Sequence, residues 1–341
     1  MDRCRFPKEK SKLTRGYAQM PKVTVIVPAY NVEPFIEQCV ESALNQTLDD
    51  IEFIFIDDGS VDRTGILLDK LTMNNQKARV IHQPNKGLFN TRKIGLSLAT
   101  GDYVGWIDAD DYVEPNMFEV MYEVAIKHDS ELVICDYSWF PRKPAEKEKW
   151  YREYAGKVDV RFIERNSQVW NKIVKRELLE RLNIGQLFIP CFDEVYIWVL
   201  MEARNPITIN QSLYHYRVGR GTMSSSYNNV QHFRSYVAAS ENLRDVMRTH
   251  FQDPYWTDYF DYRIAYYLLV TMIAGAYSGD REAYMSNREK LRKIVPSYYI
   301  NRHFWRTLRD NFGLLKAFVI GCVVPCGYTV AHFVCSVAIR P

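Results

Sequence analysis

The sequence predicts an α/β fold: a mostly parallel sheet with helices on both faces, followed by a helical C-terminal extension. Three observations carry this. Apolar, β-branched runs alternate with helical stripes from Val23 onward; three of those runs stop at polar turns; and the pattern becomes helical from residue 230 to 309.

Val23-Thr24-Val25-Ile26-Val27 has the composition of a strand covered on both faces, and it leads into Pro28-Ala29-Tyr30-Asn31. Pro34 opens a helix whose apolar stripe is Phe35, Ile36, Cys39, Val40, Ala43 and Leu44. The second strand, Ile51-Glu52-Phe53-Ile54-Phe55-Ile56, ends in Asp57-Asp58-Gly59-Ser60, and a helix through Ile66, Leu67, Leu68 and Leu71 follows. Residues 79–82 form a short third strand, and 90–99 a helix closed by Gly101. The fourth strand, Tyr103-Val104-Gly105-Trp106-Ile107, stops at Asp108-Ala109-Asp110-Asp111. A helix over 116–127 and the apolar run Leu132-Val133-Ile134-Cys135 come next. Right-handed crossovers then bring the three polar turns to one edge, where ligands of such sheets bind.

The acidic turn is costly as packing alone. Carboxylates desolvated side by side require a cation or hydrogen-bond donors. Hard oxygen ligands favour Mg²⁺ or Mn²⁺, which bridge one or two carboxylates to substrate phosphates. The plain alternative is a polar turn in which an Asp caps the next helix.

Beyond residue 138 the segment 141–165 is charged, aromatic and poor in aliphatics, so an irregular insertion is expected. Regular structure resumes at Val169-Trp170-Asn171-Lys172, with helices over 176–182 and 193–203, a strand over 207–210, and Leu213-Tyr214-His215-Tyr216-Arg217. The apolar stretch 264–277 is too short for a membrane span and reads as a buried helix.

At 341 residues and 47% hydrophobic, the chain can bury a large core. Its 44 basic and 41 acidic residues are too balanced to argue for nucleic acid. Seven cysteines without CxxC or Cys/His spacing suit a reducing cytoplasm, and residues 1–20 lack the apolar stretch of a signal peptide, so export is not expected.

Taken in order, these landmarks resemble the family 2 glycosyltransferases, the inverting group with the A-type nucleotide-sugar fold, in their bacterial polysaccharide branch. The resemblance spans 22–226. It rests on Val25 to Asn31, on Ile56-Asp57-Asp58-Gly59-Ser60, on Asn85-Lys86-Gly87-Leu88 with Arg92 and Gly95, on Asp108-Ala109-Asp110-Asp111, and on Val169 to Lys172 and Leu213 to Arg217. It implies that Pro28, Tyr30 and Asp58 face the base and ribose of a nucleotide-diphosphate sugar, with Asp108 near the ribose or a metal. Asp110 is then the first metal ligand, for Mn²⁺ or Mg²⁺, and Asp111 a ligand or a supporting group. Arg92 contacts the diphosphate, with Lys86 or Arg217 adding positive charge. UDP is the default nucleotide of the fold, and the acceptor is a hydroxyl of a glycan or lipid-linked glycan in surface polysaccharide synthesis.

The chain departs from the family pattern twice. Thr91-Arg92-Lys93 stands where Ala-Arg-Asn is usual. The catalytic Glu-Asp pair is reversed as Asp193-Glu194, putting Glu194 in the place of the base and leaving Asp193 as the fallback. A catalytically decayed nucleotide-sugar-binding protein is the competing reading. A nucleotidyltransferase is disfavoured because Pro28-Ala29-Tyr30-Asn31 holds no Gly-rich phosphate loop.

The implied organisation is a tail over 1–20, a nucleotide-sugar-binding α/β half over 21–137, an acceptor-side half over 138–229, a helical extension over 230–312 and an apolar membrane-associating segment over 313–341. Residues 138–168 and the helical region would address the acceptor. Residues 317–339 hold no Lys, Arg, Asp or Glu and follow Arg288, Lys290, Arg292, Lys293, Arg302, Arg306, Arg309 and Lys316, interleaved with Phe304, Trp305 and Phe312. One span or hairpin and an interfacial helix pair are both compatible with this, on the cytoplasmic face of the membrane; a terminal core helix is the alternative.

Overall fold

The structure is a computed structural model. It describes residues 20–141, 166–184, 192–219, 237–238, 240–245, 248–249, 254–301, 304–306, 308–309, 318, 320–321 and 324–332. The insertion expected over 141–165 therefore lies outside the described residues, apart from Pro141.

Eight strands form one sheet: β1 (Val23–Ala29), β2 (Ile51–Asp57), β3 (Ala78–His82), β4 (Tyr103–Trp106), β5 (Tyr112–Val113), β6 (Leu132–Phe140), β7 (Lys172–Lys175) and β8 (Ile207–Arg217). Their spatial order is β3-β2-β1-β4-β7-β6-β8-β5. The first half is parallel throughout, with β1 between β2 and β4 and β3 outside β2. In the second half β7 runs antiparallel to β4 and β6, β8 runs parallel to β6, and β5 closes antiparallel on β8. The stretches expected as separate segments at 207–210 and 213–217 are one strand, whose pairing with β6 shifts register around Asp136.

β1 is buried along its whole length, as its β-branched composition requires of a central strand. Helices α1 (Ile36–Leu44), α2 (Thr64–Thr72), α3 (Leu88–Leu98) and α4 (Met117–Lys127) flank the parallel half. α1 buries Ile36, Cys39, Val40 and Ala43, the expected stripe. α3 approaches β1 so closely that a Cβ at Gly95 would lie 2.3 Å from Ile26 Cγ2. Two further helices, α5 (Arg176–Arg181) and α6 (Phe192–Glu202), complete the sheet domain. The middle of α6 is apolar, and Val195, Tyr196, Ile197, Val199 and Leu200 are buried in the sheet core. Trp106 Nε1 donates to the Tyr196 hydroxyl at 2.5 Å, which ties the start of α6 to the strand that carries the acidic turn.

The expected buried helix over 264–277 is part of α7 (Pro254–Ser278), which pairs with α8 (Arg281–Ile294). Trp256, Tyr259 and Phe260 join the sheet core; Leu268 and Met272 join a second core with Tyr284, Leu291, Phe304, Leu308, Ile320 and Ala331. The described part of 317–339 thus packs on the extension. Arg288 donates to the carbonyls of Pro325 and Cys326, and His332 Nδ1 lies 2.6 Å from the Ala276 carbonyl. Among the described residues no helix is long and apolar enough to cross a membrane.

At the edge opposite the three polar turns, Glu131 enters β6 almost wholly buried. Its carboxylate accepts from Arg181 Nη1 and Nη2 and from Arg204 N, Nε and Nη2, at 2.7 to 3.1 Å. Burial pushes this carboxyl up, but the donors from Arg181 and Arg204 outweigh it and hold it at about 2. Arg181 and Arg204 are 44% and 67% exposed, so water screens their charges once the carboxylate is gone, and the loss is that of the buried acceptor's hydrogen bonds. Glu131→Gln is expected to lower stability by about 1–3 kcal/mol in urea unfolding at pH 7. Because the folded carboxyl lies below its unfolded value near 4.3, the wild-type contribution is full above that pH and fades as pH falls toward 2. A variant as stable as the wild type at pH 7 would contradict this.

Candidate active site

Since β1, β2 and β4 are parallel neighbours, their carboxyl ends share one edge, and the chain leaves each through a polar turn. The first two turns are laced together. Asp58 N donates to the Ala29 carbonyl at 2.9 Å, Asn31 N to Ser60 Oγ at 3.0 Å, and Val61 N to Asn31 Oδ1 at 2.9 Å. Asn31 itself sits at φ 52°, a left-handed conformation that Asn tolerates. Pro28 is buried at the end of β1, whereas Tyr30 is 47% exposed and projects its ring from the edge.

Asp58 is buried and serves the neighbouring loop. Its carboxylate accepts from Gln83 Nε2 at 2.7 Å, Lys86 N at 2.9 Å and Gly87 N at 2.8 Å. It therefore sets the backbone that opens α3, and Lys86 stands exposed on that loop. Gly59, at φ 73°, leaves room for this approach: a Cβ there would lie 2.7 Å from Asn85 N. Asp57 accepts from Ser60 N at 3.0 Å and lies 2.9 Å from His82 Nδ1; the other ring nitrogen lies 3.0 Å from Asp69.

The acidic turn after β4 divides into three environments. Asp108 pairs with Arg92, whose guanidinium is only 3% exposed, at 2.7 Å. Arg92 thus reaches the turn from α3, across the core, and holds one of the carboxylates. Asp111 is buried, with one oxygen accepting from the Tyr214 hydroxyl at 2.7 Å and the other from Arg217 N at 2.6 Å. Burial first, then the charges of Asp110 and Asp108, push its carboxyl well above the usual range against those two donors. Asp110 is raised to about 6, by burial and then by Asp108. Arg217 Nε goes to the Asp110 backbone carbonyl at 2.6 Å, and its guanidinium lies over the rings of Phe35 and Phe140.

Tyr214 joins these pieces. Besides donating to Asp111, its oxygen accepts from Asp108 N at 3.1 Å, so one buried phenol fixes both ends of the turn. Burial, then Asp111, push this phenol well up, keeping it a donor. The motif around it is visible in the sequence, but no local periodicity assigns Tyr214 to Asp111, 103 residues away. Asn171 and Lys172 are likewise buried; Asn171 Nδ2 donates to the Cys135 carbonyl of β6, and Lys172 Nζ to the Gln168 carbonyl of the loop before β7. Asp193 and Glu194 lie in the first turn of α6, close to the Tyr196–Trp106 tie; their side chains are outside the described residues.

Among the described residues no three His, Cys, Asp or Glu side chains converge as a complete cation cage. Two oxygen donors, Asp108 and Asp110, are what the turn offers beyond the committed Asp111. A divalent ion that takes one or two carboxylates and completes its shell with phosphate fits that donor set.

Comparison with known proteins gives a consistent picture. Residues 24–192 match the family model Glycosyl transferase family 2. The chain is 34% identical over 220 residues to the uncharacterized glycosyltransferase EpsJ of Bacillus subtilis, covering 58% of this chain and 61% of EpsJ. It thus spans about three fifths of that relative's length. Among solved structures, residues 1–349 of S. aureus TarS in complex with UDP-GlcNAc superpose with a TM-score of 0.55 at 18% identity, covering 81% of this chain and 91% of that one. The mannosyltransferase PcManGT from Pyrobaculum calidifontis, in complex with GDP-Man and Mn²⁺, gives 0.53 at 15% identity, covering 95% and 89%. At these identities the likeness is one of fold, the A-type fold.

Tyr214→Phe deletes one hydroxyl and leaves an Asp111 oxygen and the Asp108 amide without it. A loss of about 1–3 kcal/mol in chemical denaturation is expected. An unchanged midpoint would remove Tyr214 from the support of the turn.

Proposed function

The chain belongs to glycosyl transferase family 2 through residues 24–192, and from that premise we propose that it is a metal-dependent, inverting glycosyltransferase. It moves a sugar from a nucleotide-diphosphate sugar, UDP-linked in the first instance, to a hydroxyl of a glycan or lipid-linked glycan in surface polysaccharide synthesis. The observation that carries this is the acidic turn, where Asp110 is desolvated beside Asp108 on the same sheet edge as Tyr30 and the Asp58 loop. The TarS complex with UDP-GlcNAc and the PcManGT complex with Mn²⁺, both of similar fold, support the donor class and the cation.

In this mechanism Tyr30 offers its exposed ring to the base, with Pro28 behind it. Asp58 orders the loop that presents Lys86 toward the donor. Asp110 and Asp108 would hold Mn²⁺ or Mg²⁺, which when bound supplies Lewis-acid stabilisation of the leaving diphosphate. Arg92 sets the rotamer of Asp108 and, with Arg217, adds fixed positive charge. Glu194 accepts the proton of the attacking hydroxyl, Asp193 being the fallback; a single displacement then inverts the anomeric carbon, and no enzyme nucleophile is required.

We place the protein at the cytoplasmic membrane face. Exposed Arg292 and Lys293 at the end of α8 stand just before Tyr299 and Ile300, 58% and 73% exposed, a basic and apolar pairing suited to anionic lipid. Co-sedimentation with phosphatidylglycerol vesicles, released by salt, is expected; equal recovery without vesicles would overturn this placement.

Hydrolysis of UDP-sugars in Mn²⁺ provides an assay that needs no acceptor. Asp110→Asn is expected to abolish it, by at least about 100-fold, with an unchanged circular dichroism spectrum. Glu194→Gln should still bind UDP while turnover falls about 10²–10⁴-fold. Normal turnover in Glu194→Gln would move the base to Asp193.

A further inference from the structure

The ends of β2 and β3 meet through two consecutive residues on each side. His82 Nδ1 lies 2.9 Å from Asp57 Oδ2; Gln83 donates through Nε2 to Asp58 at 2.7 Å and through its backbone N–H to the Asp57 carbonyl at 3.0 Å. Strand alternation sends the two side-chain contacts to opposite faces. Asp58 and Gln83 serve the loop that opens α3, whereas Asp57 and His82 lie against the first turn of α2. Gly65 permits that approach: a Cβ there would lie 2.6 Å from Asp57 Oδ2 and 3.3 Å from His82 Cε1. The second ring nitrogen, Nε2, lies 3.0 Å from Asp69 Oδ1, further along α2.

With a carboxylate oxygen at each nitrogen, the ring is suited to one charge state. A neutral imidazole has a single N–H and would set its other lone pair against an anionic oxygen, whereas the imidazolium donates to both. From β2 the ring meets Asp57 and from α2 Asp69; on its own strand Arg79 is turned to the Leu98 carbonyl and Glu52. The bond to Asp57, then that to Asp69, hold the imidazole above the ordinary histidine range against the cost of burial. Asp57 is buried and its other oxygen accepts from Ser60 N, so the carboxylate that the ring grips also shapes the turn carrying Asp58. Asp69 is exposed, and water competes for it once the ring is neutral.

We propose that His82 is a positioning residue for the donor site. As an imidazolium it ties α2 to the end of β2 and fixes the turn from which Asp58 holds the Lys86 loop, so the nucleotide diphosphate binds less tightly once that proton is lost. This rests on the donor-site reading above. His82 acts through Asp57 and the turn, not by contact with the donor. The neutral ring keeps at most one of its two bonds, and a neutral bond is roughly half as strong as a charge-assisted one. Because the folded ring titrates above its unfolded value near 6.5, the tie is complete below that pH and is lost as pH rises through the folded value. The dependence runs opposite to that of Glu131, whose contribution fades at low pH.

Calorimetric titration of UDP in Mn²⁺ into the full chain at a series of pH values from about 6 to about 8.5 tests this. Each wild-type affinity is divided by that of His82→Gln, so that titration of the nucleotide and of Asp110 cancels. The wild type is expected to bind about fivefold more tightly at the acid end and nearly equally at the alkaline end. Asp69→Asn, at an exposed position, should keep the wild-type affinity at the acid end and lose it at a lower pH than the wild type does. A ratio of one at the acid end, or a ratio that stays constant across the series, would overturn the proposal; the second outcome would leave His82 a packing residue only. Hydrogen exchange at the Lys86 and Gly87 amides, corrected for base catalysis and measured without nucleotide, separates this from the donor reading. Protection that falls across the same pH range in the wild type and not in His82→Gln supports the tie even where UDP binds at no pH, an outcome that would sink the donor site. UDP binding with unchanged protection and a constant ratio does the reverse.

Discussion

Everything at the candidate site follows from the cost of placing three carboxylates at the end of a buried strand. The fold meets that cost unequally. Asp108 has a guanidinium, Asp111 has a phenol and a backbone amide, and Asp110 is left desolvated with its carboxyl raised to about 6. A site in which every carboxylate were neutralised by protein would have nothing left to offer a cation. One in which none were would not fold with the turn intact. The division of labour leaves Asp110 as the chemical variable, with Asp108 beside it and Asp111 committed to structure.

The partners that make this possible come from distant elements. Arg92 arrives on α3, which can approach β1 because Gly95 has no side chain to keep it off Ile26. Tyr214 and the Arg217 amide arrive on β8, which is placed by its parallel pairing with β6 and its short antiparallel pairing with β5. The mixed second half of the sheet is therefore what brings a second set of side chains to the edge where the parallel half ends. On the distal β6–β8 ribbon, Tyr214, which closes the acidic turn, is stacked by Trp170, and Trp170 in turn stacks on Tyr216. At the opposite edge, Glu131 between Arg181 and Arg204 anchors the start of the same strand β6.

The parallel half was legible in the sequence because its information is local. Period-two and buried runs, helical stripes and the turns at Asn31, Asp57 and Asp108 each lie within a few residues, and alternation dictates that they share an edge. The second half was less so. β7 is four residues long and β5 two, and their antiparallel placement depends on pairing across gaps that no local pattern encodes. The same limit applies to the site. That the turn crowds three carboxylates at a strand end was readable from residue type and place, whereas the singling out of Asp110 came from the family resemblance. That Asp58 spends its carboxylate on the Lys86–Gly87 backbone, that Arg92 reaches Asp108, and that Tyr214 closes the turn all depend on contacts of 16 to 106 residues' separation. In the apolar stretch at 317–339, composition alone does not separate burial from exposure: of its described residues Ile320 and Ala331 fill a core, whereas Phe318 and Val330 are 59% and 45% exposed.

In the proposed function the three strand ends form one site for a nucleotide diphosphate and a divalent ion, with each ligand helping to hold the other. Linkage makes that measurable without knowing the sugar or the acceptor, because two ligands sharing a site must raise each other's affinity equally. Calorimetric titration of UDP into the full chain, in Mn²⁺ and in chelator, is the most direct measurement. UDP is expected to bind in Mn²⁺ and to bind about tenfold or more weakly when the ion is removed. Equal affinity in both buffers would contradict it.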